Sequence, residues 1–540
     1  MRALLFSVLL LAASTLPAQQ LAPALVERLD ARLNQSVEGM APGLAVGVVR
    51  DGQVIFERYL GYANLEHEVP IDAHSRFNIA SNAKQFTALM VLQQMQAGQL
   101  QLEQDIRVLL PDYFTELDTP ITVKDLLSHR SGVRDVYDLW ALQGHTWWRL
   151  FVDNEDALEL LQAQQELNFT PNSDTRYSNS NYLLLTALLE AVSDDSFASL
   201  AAGTFAQLGM QESAFQTHYM AVVPHKARPY GSWNGWREYP QVTALYGDGG
   251  LFTTLPDQLR WEQLLQQDQA TVLPLALLQE SQQPLANGQG YGLMFGRYKG
   301  QDYVYHDGNT GAYNASFMRF PEQRLAVVVM SNNGNLSTRQ TAQALVDLIL
   351  DLPPEFPAGP DRVETGGDLQ ALPGVYQTDG GDLMMITQRD GDLYRELAGA
   401  EPVRLIPERG GLYQYASRAD LKMNFSQIGT ARQQLTIYLP SQPPISYRRL
   451  ALPEPVVSAP EDLNGRYYNA ETDTEILIRH DGDQAYTVTK NGRAREAQLL
   501  LPDRLQMNSY QLRVVRDAEQ QVQGLRVDNR RIRNVWFVRS

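Results

Sequence analysis

The sequence predicts an α/β (α+β) body, an antiparallel sheet flanked by helices, followed by two small antiparallel β-barrel-like units. Three observations carry this. Helix and hairpin patterns alternate over residues 19–352, in an order that lays a sheet under helices. Two Pro-rich breaks, 353–366 and 451–461, end that pattern. The stretches after them, 367–450 and 462–540, repeat each other.

The body opens with "LAPALVERLDARL", where Leu21, Leu25, Leu29 and Leu33 share one helix face. "GLAVGVVRDGQVIFERYLG" then reads as two strands joined at Asp51-Gly52, a hairpin signal. Near the other end, "AYNASFMRF" and "LAVVVMS" are strands linked through Pro321-Glu322-Gln323. A last helix runs through Ala344, Leu345, Leu348 and Ile349. Of the two later stretches, "LPGVYQTDGGDLMMITQRDGDLY" begins at Leu372 and "LNGRYYNAETDTEILIRHDGDQAY" at Leu463. Gly374 precedes Gly391 by 17 residues, and Gly465 precedes Gly482 by 17. Matched L-x-G-x-Y and D-G-D at equal spacing argue for a duplicated barrel or sandwich. Each copy is large enough to fold alone, so deletion of 453–540 is expected to leave a folded body. Loops of the copies are expected to rim a cleft and limit substrate length.

The first residues, "MRALLFSVLLLAASTLPAQQ", combine Arg2, an apolar run from Leu4 to Ala13 and a cleavable end after Ala18. This predicts a signal peptide over 1–18 and a periplasmic or secreted protein. The run is shorter than the ~20 residues a membrane span needs. A net charge of −17 without a basic block excludes nucleic acid as partner. The absence of cysteine excludes a thiol nucleophile, disulfides and Cys-ligated zinc. H-E-x-x-H is absent, and no metal or cofactor is expected. The expected partner is a small-molecule or short-peptide substrate; oligomeric state is not legible.

Serine is then the candidate nucleophile, although the lipase-type G-x-S-x-G is missing. In "FNIASNAKQF", Ser81 and Lys84 stand three apart at a helix start, so both reach one face and the amine can take the hydroxyl proton. A free lysine is a poor base, so burial or positive neighbours must tune it. In "DTRYSNSNYLLL", Tyr177 and Asn179 lie in a polar loop before an apolar helix. A phenol there can shuttle a proton, and an amide can bind both the lysine and a carbonyl. Tyr62-x-Asn64 repeats the spacing at a strand end and reads as structural. "HDG" occurs at His306 and again at His480. In the repeat, His480 matches Arg389, so what is shared is a turn, and His480 reads as a solvated neighbour of it. His306 and Gly308 open a strand whose edge suits an extended ligand, and the N–H of Asn309 can join that of Ser81 as an oxyanion hole.

Ser81-x-x-Lys84, Tyr177-x-Asn179 and His306-x-Gly308, in that order, resemble the penicillin-recognising serine hydrolases. The pattern is most similar to the class C β-lactamase and D-aminopeptidase branch, in which His-x-Gly often stands for Lys-Thr-Gly. "LLSHRSGV" and "GDGGLFTT" add to it. The resemblance implies a β-lactamase/transpeptidase-like domain over 19–352, with Ser81, Lys84 and Tyr177 catalytic and Asn179, His306, Gly308 and Asn309 binding substrate. The two later units resemble the barrels of three-domain D-aminopeptidases. It implies an acyl-enzyme hydrolase of D-residue peptides or amides. A carboxylesterase or weak β-lactamase on the same fold, or a silent envelope-binding protein, are the alternatives. A histidine, mostly neutral at neutral pH, weakens the case for substrates with a free carboxylate.

Overall fold

The computed structural model describes residues 21–146, 149–239, 242–270, 272–353, 369–396, 401–408, 411–416, 418–438, 444–451, 460–482 and 485–540. The predicted leader and most of both linkers lie outside them.

The body is built on a seven-stranded antiparallel sheet. Its strands are β1 (Leu44–Arg50), β2 (Gln53–Leu60), β3 (Gln289–Gly290), β4 (Leu293–Tyr298), β5 (Gln301–Thr310), β6 (Tyr313–Phe320) and β7 (Leu325–Ser331). They stand in the order β3-β4-β5-β6-β7-β1-β2. Asp51 and Gly52 both take positive φ (51° and 73°), the two-residue turn their sequence predicts. The first and last parts of the body meet here, because β1 pairs with β7 from Leu44↔Ser331 to Arg50↔Leu325.

Both sheet faces are covered, which explains why β6 and β7 are buried along their whole length without alternation. On one face, Leu29 and Leu33 of α1 (Pro23–Asn34) pack with Val327, Val329, Leu345 and Val346. Each such fully buried side chain stabilises by about 1.5–3 kcal/mol. On the other face, Val328 and Met330 meet Phe86 and Leu89 of α2 (Lys84–Gln96), with Trp261 behind them. Helices α3 (Val136–Leu142) and α4 (Ser180–Ser193) complete the layer that carries the site. Among the described residues, no helix is long and apolar enough to cross a membrane.

Each repeat closes into an eight-stranded barrel, the first spanning Gly374 to Arg449 and the second Gly465 to Arg539. The L-x-G-x-Y motif has the same work in both. Tyr376 Oη donates to Leu372 O (2.6 Å), and Tyr467 Oη donates to Leu463 O (2.8 Å). Arg449 and Arg539, at the ends of the closing strands, donate to Pro373 O and Asn464 O (2.7 and 2.8 Å). The D-G-D turns are not equivalent, however. Asp390-Gly391 is a two-residue turn with positive φ at both. In the second barrel a bulge before Gly482 lets the strand run on, and Gly482 pairs with Ala485. His480 is therefore half-buried against Tyr486 (ring centroids 5.2 Å) rather than solvated.

The second barrel is also not the separable unit the sequence suggests. Its core residues Tyr467, Ile478 and Phe537 belong to one contiguous cluster with Phe86 and Leu89. Arg134, fully buried, bridges Glu166 of the body (3.2 Å) and Glu471 of the barrel (2.7 Å). Deleting the barrel would expose that core and half-unpair a buried charge.

Candidate active site

Ser81 lies in a 3-10 turn, Ala80–Ala83, that leads into α2. The residue before it, Ala80, is buried at φ 47°, a left-handed conformation that costs on the order of 1–3 kcal/mol outside glycine. The Ala80 N–H donates to Asn78 Oδ1 (2.9 Å), which helps hold it there. The serine makes no helix cap; its hydroxyl is left for Lys84. Lys84 is fully buried, and its three N–H positions have three acceptors: Ser81 Oγ (3.2 Å), Asn179 Oδ1 (2.8 Å) and Asp248 O (2.5 Å).

Tyr177 and Asn179 stand just ahead of α4. Asp135, at the start of α3, accepts from both the backbone N–H (2.7 Å) and the side-chain amide (2.9 Å) of Asn179, which turns the amide oxygen toward Lys84. Nothing in the sequence marked Asp135 for this work. The Tyr177 ring has Lys84 Nζ 5.1 Å from its centroid, and the guanidinium of Arg531 is also 5.1 Å away. Its hydroxyl is buried and has no hydrogen-bond partner among the described residues.

The third motif is placed differently from its expectation. His306 lies in the middle of β5, buried, and does not border the cavity in front of Ser81. Its Nδ1 is 2.7 Å from Asp307 O, and its ring centroid is 6.0 Å from that of Tyr177. Burial first, then the Lys84 charge, pushes its pKa down to about 3, so it is neutral throughout the physiological range. Gly308 also faces inward. A Cβ there would lie 2.1 Å from Ile79 O, so the glycine lets β5 approach the nucleophile turn. Asn82 ties the two together when its amide donates to His306 O (2.8 Å) and accepts from Gly308 N (3.1 Å). Asn309 does reach the surface of the cavity. The pairing of β4 with β5 ends at Tyr305, so among the described residues β5 has no strand partner on that side from His306 onward.

The cavity has a volume of about 390 Å³. Ser81, Asn179 and Asn309 share its wall with Asp138, Asp248 and Arg531. The last comes from the second barrel, some 450 positions away in the chain. Arg531 N–H donates to Asp138 Oδ2 (2.8 Å), and its guanidinium lies 3.6 Å from Asp135. Burial, then Asp135, raises the Asp138 pKa to about 6; burial also raises that of Asp248.

His306 supplies a pH test. Its pKa is lower in the folded protein than the 6.5 of a free side chain, so the unfolded chain binds the extra proton. Stability from this group is therefore lost as pH falls from about 6.5 toward 3, at about 1.4 kcal/mol per pH unit. His306→Asn is expected to remove that slope, read as the difference between urea titrations of variant and parent at pH 7 and pH 5. His129, also pushed down, and Asp138, pushed up, remain in both proteins and cancel. Parallel curves would refute a buried neutral His306.

A family model described as Beta-lactamase matches residues 24–351. The chain belongs to the beta-lactamase family. This beta-lactamase-family chain is 29% identical over 333 residues to a D-aminopeptidase of Gluconobacter oxydans, covering 59% of itself and 61% of that protein. It is 25% identical over 463 residues to a D-aminopeptidase of Brucella canis, covering 82% of each. Its fold matches the octameric penicillin-binding protein homologue from Pyrococcus abyssi, with a TM-score of 0.56 and 20% identity, over 79% of this chain and 99% of that one.

Proposed function

We propose that this chain is a serine hydrolase that cleaves short amide or peptide substrates, D-residue amides and peptides in particular, through an acyl-enzyme on Ser81. The observation that carries the reading is Lys84 Nζ, buried and 3.2 Å from Ser81 Oγ beside an open cavity. Lys84 takes the hydroxyl proton while Oγ bonds to the substrate carbonyl carbon. The carbonyl oxygen, becoming an oxyanion, is held by the N–H groups of Ser81 and Asn309. Tyr177 passes a proton to the departing amine, and water then hydrolyses the ester on Ser81. Neutral His306 stands behind Tyr177 as an uncharged wall. It offers no fixed charge for a carboxylate, which favours amides and amino-terminal residues over penicillins. The loop carrying Arg531 closes one side of the cavity, which suits short substrates.

The D-aminopeptidase relatives support the choice of substrate. Export is part of the proposal, supported by Arg2 and the apolar run from Leu4 to Ala13. The test is a panel of D- and L-amino-acid amides, p-nitrophenyl esters and a chromogenic cephalosporin. Turnover of the D-amides above their L-forms and above the cephalosporin is expected. Hydrolysis of esters alone would make the protein a carboxylesterase, and inertness to all of them would leave a binding protein.

A further inference from the structure

The cavity wall carries two carboxylates, Asp138 and Asp248, and two arginines, Arg530 and Arg531, and among the described residues no ion pair joins the two sets. Lys84 is engaged by three acceptors, and Arg531 is held against Asp135 and the Tyr177 ring. Neither Asp138 nor Asp248 forms an ion pair among the described residues, although both border the same space as Ser81. Asp138 is half-buried on the first turn of α3. One of its oxygens accepts from Arg531 N–H, and the other has no hydrogen bond among the described residues. Asp248, 3% exposed, takes the Tyr137 hydroxyl on Oδ2 (2.8 Å), while its buried Oδ1 has no partner among the described residues. Arg530, at the rim, is exposed and lies close enough to favour ionised Asp138 without pairing to it.

A carboxylate withdrawn from water without a cation is costly, and a charge-assisted hydrogen bond from an ammonium removes the cost. We propose that Asp138 binds the protonated α-amine of the substrate. This rests on the hydrolase reading and adds to it the group that distinguishes a free amino terminus from a blocked one. The carboxylate needs only to bind; no proton or bond is exchanged with it.

The test uses the full chain and two compounds that differ only in the amine: D-phenylalanine p-nitroanilide and 3-phenylpropionyl p-nitroanilide. Asp138→Asn keeps an acceptor for Arg531 N–H, so the loop stays in place. It is expected to lower kcat/KM for the amine substrate by about tenfold or more, chiefly through KM, as for a lost hydrogen bond to a charged group. The amine-free substrate should change by no more than about twofold, and Asp138→Glu should keep most of the preference. Equal losses on both substrates, or no loss on either, would overturn the assignment. If the parent protein hydrolyses neither, the hydrolase reading has failed. Calorimetric binding of D-phenylalanine amide and 3-phenylpropionamide then decides the inference: Asp138→Asn must weaken only the first, and unchanged or equally weakened binding would refute it.

Discussion

Ser81→Ala should abolish turnover, by on the order of 10⁴- to 10⁶-fold in kcat, the scale seen when a nucleophile is removed. The expectation follows from position. Ser81 follows a residue held in a left-handed conformation, and its oxygen is a hydrogen-bond partner of the buried Lys84. Folding should hardly change. The serine caps no helix, and Lys84 keeps Asn179 Oδ1 and Asp248 O as acceptors when the hydroxyl is gone. Thermal unfolding within a few degrees of the parent, with activity gone, is the expected pair of results. Activity within tenfold of the parent would place the chemistry elsewhere.

The second large effect concerns the proton path. Lys84→Ala and Tyr177→Phe should each lower kcat by on the order of 10²- to 10⁴-fold, as for a lost acid–base group. The double variant should fall no more than about tenfold below the weaker single, because groups that act as a unit lose their function once. The two singles differ in their effect on folding. Tyr177→Phe removes a hydroxyl with no partner among the described residues, so stability should hold or rise. Lys84→Ala leaves Asn179 Oδ1 and Asp248 O facing a void, at about 1–3 kcal/mol for each buried group left unpaired. Losses that multiply in the double variant would show two independent roles.

Much of the fold was legible because short-range chemistry fixes it. Asp51-Gly52 makes the turn its residues demand, and Leu29 and Leu33 bury as their spacing requires. The repeated L-x-G-x-Y was readable as duplication, and its tyrosine-to-carbonyl bond recurs in both barrels. The barrel-like form expected of both units is completed by pairing between first and last strands, and the register of that pairing is what no local pattern reports. Ser81, Lys84 and Asn179 are brought together as their residue types suggested. His306 was misplaced because a motif gives a side chain's identity but not its direction, and here the ring points behind the cavity wall. Asp135, Asp138 and Arg531 were invisible for another reason. Two are ordinary acids near a helix start, and the third reaches the cavity only because the second barrel docks on the body through a shared core and bonds such as that of Arg134 to Glu471.

The measurement that bears most directly on the acyl-enzyme is peptide mapping by mass spectrometry after reaction with a fluorophosphonate probe, with and without a D-amino-acid amide as competitor. A single adduct on the peptide containing Ser81, diminished by the competitor and absent from Ser81→Ala, is the predicted result. An adduct on any other serine, or an unlabelled protein that still turns over the amide, would contradict it.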